Sequence, residues 1–257
     1  MTSRFEVQLR QYTPLLHFQG EQEGACLRAS EVKPALDNFI TDWLNKQKID
    51  VRSDAGKWIY PVDDDEKHIA YRYRMTFRAD ETQKDLLDVR KNPIKKLYFA
   101  AMGKAADSNH TKGVFYRNGM TMTILIPGDF CLQKGNFNMK LSDVISTLLP
   151  PFFALHCFGN RSNKGFGSFG VTRIGDMPKD SMTPRQLAEY APNQKTLYYV
   201  DYETFNCSDR SFWKKYLDDA INTKRELDGL DETACRWLGH AGDPIRVYVD
   251  DRTRGTS

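Results

Sequence analysis

The sequence predicts an α+β fold, and three observations carry the prediction. Runs of period two and runs of helical period follow one another in the order strand, helix, strand, strand, helix, strand. Asn118-Gly119 stands between two strand-like runs, a strong hairpin signal. After residue 195 a similar pattern begins again and stops before completing.

Phe5, Val7 and Leu9 alternate with Glu6, Gln8 and Arg10, a half-buried strand ending at Thr13-Pro14. The polar loop FQGEQEG leads to Ser30, an expected N-cap with Glu31 in the first turn, and to Leu36, Phe39, Ile40, Trp43 and Leu44 at helical spacing. Beyond a loop carrying Asp63, Asp64 and Asp65, HIAYRYRMTFR alternates strictly. Ile69, Tyr71, Tyr73, Met75 and Phe77 take one face, and Arg72, Arg74, Thr76 and Arg78 the other. Residues 79–111 form a polar excursion with a weak helix from Thr82 to Val89 and an apolar piece, LYFAAMG. VFYRNGMTMTILIP is the expected hairpin. Ser142 is the expected cap of a short helix that Pro150-Pro151 bends or restarts, PFFALHCF continues to Gly159, and a last strand spans Gly165–Arg173. This order is the split βαβ, ferredoxin-like βαββαβ lobe with insertions, over residues 1–175. After a turn-rich linker, residues 195–257 hold a strand at Thr196–Glu203, a helix at Ser208–Leu227 and a strand at Pro244–Val249. They are expected to be a partial second α/β lobe or a C-terminal appendage.

At 257 residues, 40% hydrophobic and 28% charged, the chain can bury a substantial core, which excludes dominant disorder. Its longest apolar stretch, Leu148 to Phe158, is far short of the roughly 20 residues that span a bilayer, so no membrane partner is expected. The start, MTSRFEVQLR, lacks the apolar core of a secretory signal, and a cytoplasmic location is expected. Cys26, Cys131, Cys157, Cys207 and Cys235 include no C-x-x-C pair, which argues against structural zinc and for small buried hydrophobes. The net charge of +3 divides unevenly. Twelve acids and nine bases occupy residues 201–257, so residues 1–200 carry +6, the place to look for a polyanionic partner.

Two stretches could meet that partner. GNRSNKGFGSFG, residues 159–170, has four glycines, and no acid occurs between Gly159 and Arg173. Exposed N–H groups together with Arg161 and Lys164 suit an anion. The segment runs from helix to strand without a G-K-[ST] ending, so it is neither a P-loop nor a Rossmann turn, and a longer polyanion fits better than a nucleotide. A plain connecting turn is the alternative. The second stretch is the strand carrying Arg72, Arg74 and Arg78, whose same-face positions repeat at about 6.5–7 Å and whose guanidinium groups can grip phosphates bidentately. A solvated face with cross-strand ion pairs is the alternative there.

YTPLLHFQGEQEGACLRASEVKPALDNFI near the N-terminus, followed about 130 residues later by GNRSNKGFGSF, resembles the RAMP superfamily of CRISPR-associated proteins. Over residues 5–174 the sequence is most similar to the first, end subunit of the type III-B Cmr effector complex. The resemblance implies a ferredoxin-like, RNA-recognition-type fold and a non-catalytic subunit of an RNA-guided interference complex. It further implies contact with CRISPR guide RNA, and possibly target RNA, through backbone and shape, alongside the other protein subunits. The matching positions are Arg28 and Ser30 at the helix start and Arg161, Lys164, Gly165, Gly167 and Ser168 in the loop. With Arg72, Arg74, Arg78 and Arg173 these make the expected RNA-binding set. Lys33-Pro34, Asp37 and Asn38 depart from the basic character of relatives at the first helix.

The superfamily also contains metal-independent guide-RNA processing endoribonucleases in which a histidine activates a 2'-hydroxyl. His17, with Tyr12 and Lys164 as helpers, is the position that could serve here, while His156 reads as a buried histidine bonded to backbone. Asp63, Asp64, Asp65 and Glu66 could attract a divalent metal but read more simply as solvated acids. No cofactor and no metal site are expected, and whether the chain is an enzyme stays open. A ferredoxin-like module that only docks proteins through its acidic C-terminal segment is the remaining alternative. The first lobe is expected to meet RNA and the second to meet protein.

Overall fold

The computed structural model describes residues 2–16, 26–61, 69–88, 112–159, 162, 166–180, 182–190, 197–200, 233–240 and 243–250. In chain order the elements are β1 (Ser3–Gln11), β2 (Leu15–Leu16), α1 (Ala29–Lys46), β3 (Arg74–Ala79), β4 (Lys84–Asp88), β5 (Lys112–Tyr116), β6 (Met120–Ile126), β7 (Cys131–Lys134), β8 (Phe137–Lys140), α2 (Leu141–Leu155), β9 (Phe169–Ile174), β10 (Met177–Pro178), α3 (Pro184–Ala188), β11 (Leu197–Val200), β12 (Thr233–His240) and β13 (Asp243–Asp250).

The main sheet has the order β10-β9-β1-β6-β3, antiparallel throughout. Taking β1-α1-β3-β6-α2-β9 as the βαββαβ series, its strands lie in the order fourth, first, third, second. The fold is therefore the ferredoxin-like α+β arrangement, with β10 added beside β9. Alternation along each strand buries Val7, Leu9, Met75, Met120, Met122, Ile124 and Val171 on one face, which α1 and α2 cover with Leu36, Phe39, Ile40, Leu148, Leu149 and Phe152. Phe39 and Phe152 join the two helices, with ring centroids 5.6 Å apart. Each such side chain contributes roughly 1.5–3 kcal/mol by leaving water.

The Asn118-Gly119 turn forms, with the Gly119 N–H donating to the Tyr116 carbonyl at 3.0 Å, but the strands it joins enter different sheets. β6 is already paired on both edges, by β1 and β3, so β5 turns away and pairs with β2 and β4. Gln11 bridges the two sheets. Its buried amide donates to the carbonyls of Val114 at 2.8 Å and Thr13 at 2.9 Å and accepts the Tyr116 N–H at 2.8 Å.

Other elements shift from expectation for local reasons. The weak helix from Thr82 is a turn capped by Asp80 and then β4, because the edge of β5 supplies hydrogen bonds that a short polar helix cannot match. α1 begins at Ala29, so Arg28 holds the N-cap position and Ser30 lies in the first turn. α2 runs unbroken through Pro150 and Pro151; the carbonyls these prolines leave unpaired, of Ser146 and Thr147, are near the solvent side. Ser142 lies in the first turn of α2 and is itself held by Asp129, which accepts the Ser142 N–H at 3.1 Å and the Ser142 and Ser3 hydroxyls at 2.6 Å each. β7 and β8 form a hairpin that the alternation did not announce. Of the cysteines, Cys26 and Cys157 are half-buried and Cys131 is exposed, so the expectation of buried thiols fails for these; the side chains of Cys207 and Cys235 lie outside the described residues. Past residue 195, β11, β13 and β12 make a separate three-stranded sheet, and the helix expected at 208–227 lies outside the described residues. LYFAAMG lies outside them too. Among the described residues no helix is long and apolar enough to cross a membrane.

Gln11→Leu removes three hydrogen bonds at a buried site, and stability should fall by roughly 3 kcal/mol or more, read from the urea midpoint. Asp129 tests pH dependence. Burial raises its pKa, but the hydrogen bonds from Ser142 and Ser3 outweigh that and leave the carboxyl below its ordinary value. A depressed folded pKa gives stability that is complete above the unfolded pKa and is lost as pH falls through the folded one. Asp129→Asn should therefore be less stable than the parent at neutral pH, by about 1–3 kcal/mol. The gap should close in acid, as melting curves from neutral to acidic pH will show.

Candidate nucleic-acid interface

The face of the main sheet opposite the helices collects the polar halves of the alternating strands. Register fixes its rows. Arg4 and Arg74 flank Leu125, Glu6 and Thr76 flank Thr123, Gln8 and Arg78 flank Thr121, and Arg173 lies beyond Gln8. Arg10 follows, opposite Gly170. The pairing of β1 with β9 slips between Gln8 and Leu9, leaving Thr172 as an extra residue. That bulge places Arg173 on the open face while Val171 and Ile174 both stay buried. Arg4, Arg10, Arg74, Arg78 and Arg173 are all exposed, and the single acid among them, Glu6, pairs with Arg4 at 3.7 Å in a solvated geometry that neutralises little. Among the described residues Arg74, Arg78 and Arg173 make no ion pair. Of the alternative for this strand, the solvated face is present, and no cross-strand ion pair holds these arginines among the described residues.

Arg72 does not join Arg74 and Arg78 on the strand. Residues 70–72 pair instead with 58–60: the Tyr60 N–H donates to the Ala70 carbonyl and the Arg72 N–H to the Trp58 carbonyl, and a tight turn at Tyr71–Tyr73 interrupts the run before β3. The Arg72 Nε–H donates to the Ile59 carbonyl at 2.5 Å, and its guanidinium carbon lies 5.9 Å from the centre of the Tyr60 ring. Arg4 and Arg10 were not singled out from the sequence. Their alternation was visible, but only the strand order sets them beside Arg78 and Arg74.

The two ends of the glycine-rich segment are stitched together at the end of β1. The Phe158 N–H donates to the Gly167 carbonyl at 2.9 Å, the Gly167 N–H to the Pro14 carbonyl at 2.8 Å and the Tyr12 N–H to the Ser168 carbonyl at 2.9 Å, while the Ser168 N–H donates to the Thr13 hydroxyl at 2.9 Å. The Gly159 N–H donates to the Glu31 carboxylate in the first turn of α1, so the helix start and the loop, distant in sequence, meet. Gly167 and Ser168 are buried, with both N–H groups engaged within the protein, and they build the loop's stem. Arg28, half-buried at the N-cap, accepts the N–H groups of Glu31 and Val32 at its carbonyl. Arg161, Lys164 and Gly165 lie outside the described residues, as do His17 and the acids Asp63, Asp64, Asp65 and Glu66.

Tyr12 is buried, with its ring laid over Gly170, where a Cβ would come within 2.7 Å of it; the Arg10 guanidinium carbon lies 5.8 Å from the ring centre. His156 is half-buried and its Nδ1 lies 2.9 Å from the Phe152 carbonyl oxygen, the backbone contact expected of it. On the helix side of the sheet, burial pushes the Asp37 carboxyl up although Lys33 bonds to it at 2.6 Å. This pair belongs to α1 and lies against Tyr73 in the chain before β3, so it adds nothing to the open face. Among the described residues no three His, Cys, Asp or Glu side chains gather where they could hold a metal.

Gly167 has φ +67°, and a Cβ there would overlap the Phe158 carbonyl oxygen. Gly167→Ala combines a left-handed conformation costing about 1–2 kcal/mol with that backbone clash. The melting temperature should fall, and protease cleavage near the stem should rise before global unfolding.

No curated protein matches the chain. A solved structure, the apo form of Cmr1 from Pyrococcus furiosus, aligns with a TM-score of 0.48 at 11% identity, covering 96% of this chain and 87% of that one. The Cmr1 N-terminal domain family matches residues 2–226. Since that match takes in most of the sequence, the chain belongs to the Cmr1 N-terminal domain family of RAMP proteins and is a subunit of a type III-B CRISPR effector complex.

Proposed function

We propose that the chain is a non-catalytic RNA-binding subunit of its effector complex, holding guide RNA or the guide–target duplex by the phosphate backbone. One observation carries this reading: among the described residues, five exposed arginines stand in register on the sheet face opposite α1 and α2 against a single acid. Guanidinium groups fixed on adjacent strands grip phosphates without reading bases, which suits a subunit that must accept any guide sequence. Thr76 and Thr123 between them offer hydroxyl donors for sugar and phosphate oxygens, while the Thr121 hydroxyl donates to the Gln8 side-chain carbonyl at 3.1 Å.

Arg28, at the N-terminus of α1, and the loop residues Arg161, Lys164 and Gly165 are proposed to add contacts to the RNA. Gly167 and Ser168 serve it by holding the stem. Residues 1–175 are the proposed RNA lobe, and residues 195–257, with their net negative charge, are proposed to face protein.

In a salt titration with single-stranded RNA, each lost phosphate contact should flatten the slope of log affinity against log salt by about 0.7. Arg74→Ala with Arg78→Ala should therefore weaken binding and reduce the slope by about 1.4, regardless of RNA sequence. Unchanged affinity and slope in the double variant would remove the proposal.

A further inference from the structure

Among the described residues the arginine face lacks one thing that single-stranded RNA readers carry, an exposed aromatic ring. Its rows are Arg, Thr, Glu, Gln and Leu, and Tyr12 beside it is buried. Such a face can track phosphates but cannot stack bases.

Exposed rings do occur at the Arg74 end. Tyr60 is 41% exposed and Phe130 is 45% exposed, and each has a cation at its ring: Arg72 at 5.9 Å from the Tyr60 centroid and Lys57 at 5.9 Å from that of Phe130. Both belong to one small construction around Trp58. The Trp58 indole N–H donates to the Phe130 carbonyl at 2.8 Å, and Tyr60 follows two residues later. Tyr71 and Tyr73 are buried toward α1, the first touching the Thr41 hydroxyl at 3.0 Å and the second lying under Lys33 at 4.3 Å. Arg72 alternates with them, and Tyr60 with the buried Ile59, so the Tyr60–Arg72 pair is turned away from the helices, as Arg74 is.

The Phe130 ring is not loose. Gly128 has φ +70°, and the space where a Cβ would stand lies 2.8 Å from the ring's Cε2, so the absent side chain gives the ring its seat. The carbonyl bond to Trp58 fixes the same residue from the other side. An exposed ring held this firmly, beside a lysine and next to a row of arginines, has the composition of a base-stacking element.

We propose that Tyr60 with Arg72 and Phe130 with Lys57 form a stacking platform for unpaired bases of RNA leaving the arginine face at its Arg74 end. The proposal rests on the reading of that face as an RNA surface. It specifies the partner further: a single-stranded end, contacted through base faces and so without sequence preference, rather than a duplex.

The test uses the full chain and two probes, a single-stranded RNA with 2-aminopurine at successive positions and a duplex of the same length. Tyr60→Ala with Phe130→Ala should lower single-strand affinity about 5- to 150-fold and relieve 2-aminopurine quenching at neighbouring positions. The salt slope and duplex affinity should not move, and Tyr60→Trp with Phe130→Tyr should restore stacking. Both rings are exposed, so an unchanged melting temperature checks that the variants fold. If the alanine variant binds and quenches like the parent while Arg74→Ala with Arg78→Ala still weakens binding, the platform is wrong and the arginine face stands. If neither pair changes binding, the RNA reading fails with it. Retained RNA affinity with loss from the assembled effector complex would overturn the platform in favour of a protein contact.

Discussion

The buried side-chain amide of Gln11 is the junction on which this fold turns. It ends β1, the strand paired on both sides within the main sheet, and supplies hydrogen bonds to the backbone of β5 in a second sheet. A buried amide with three partners is stable only while all three stay in place. The next three residues continue the work with backbone and hydroxyl: the Tyr12 N–H, the Thr13 hydroxyl and the Pro14 carbonyl bind Gly167 and Ser168 of the glycine-rich segment. Four consecutive residues therefore set where the small sheet leaves, where the loop stem sits, and where Arg10 ends the open face.

The same constraint explains why no described helix covers the polar face. β5 carries the chain between β3 and β6 into a separate sheet, and both crossover helices pack on the apolar side. Five guanidinium groups held near one another repel, and the strands that carry them are held by core burial on the reverse face, worth far more per residue than surface repulsion between solvated charges. The sheet can thus afford an uncompensated cationic face, which favours an anion that remedies it.

Much of this was legible in residue order. The βαββαβ series, the Arg74 and Arg78 face, the helix of Leu36, Phe39 and Ile40 and the backbone-bonded His156 all follow from local periodicity and composition. What was hidden depends on non-local pairing. Asn118-Gly119 makes its turn, but nothing local says that β6 will have both edges occupied. Thr82 to Val89 reads as a poor helix until the edge of β5 is present to pair with it. Arg72 alternates with its neighbours as a strand residue would, yet residues 58–60 capture its backbone and its Nε–H. Composition alone leaves the loop glycines open between anion donors and a connecting turn, and at Gly167 the turn decides: φ is +67° and a carbonyl occupies the space of its Cβ.

The bulge at Thr172 shows how narrowly the candidate interface is specified. With regular alternation, Arg173 would point to the buried face and Ile174 to solvent, an arrangement that removes water from a charge and leaves an aliphatic chain exposed. One extra residue opposite Gln8 reverses both placements and brings Arg173 into the row of Gln8, Thr121 and Arg78. The burial of Val171 and Ile174 on either side of the bulge is therefore what selects it, and the position of the Arg173 charge follows from where two apolar side chains must go. Along this face the arginines are set in space by the hydrophobic residues behind them, so the geometry an RNA backbone would meet is written in the core.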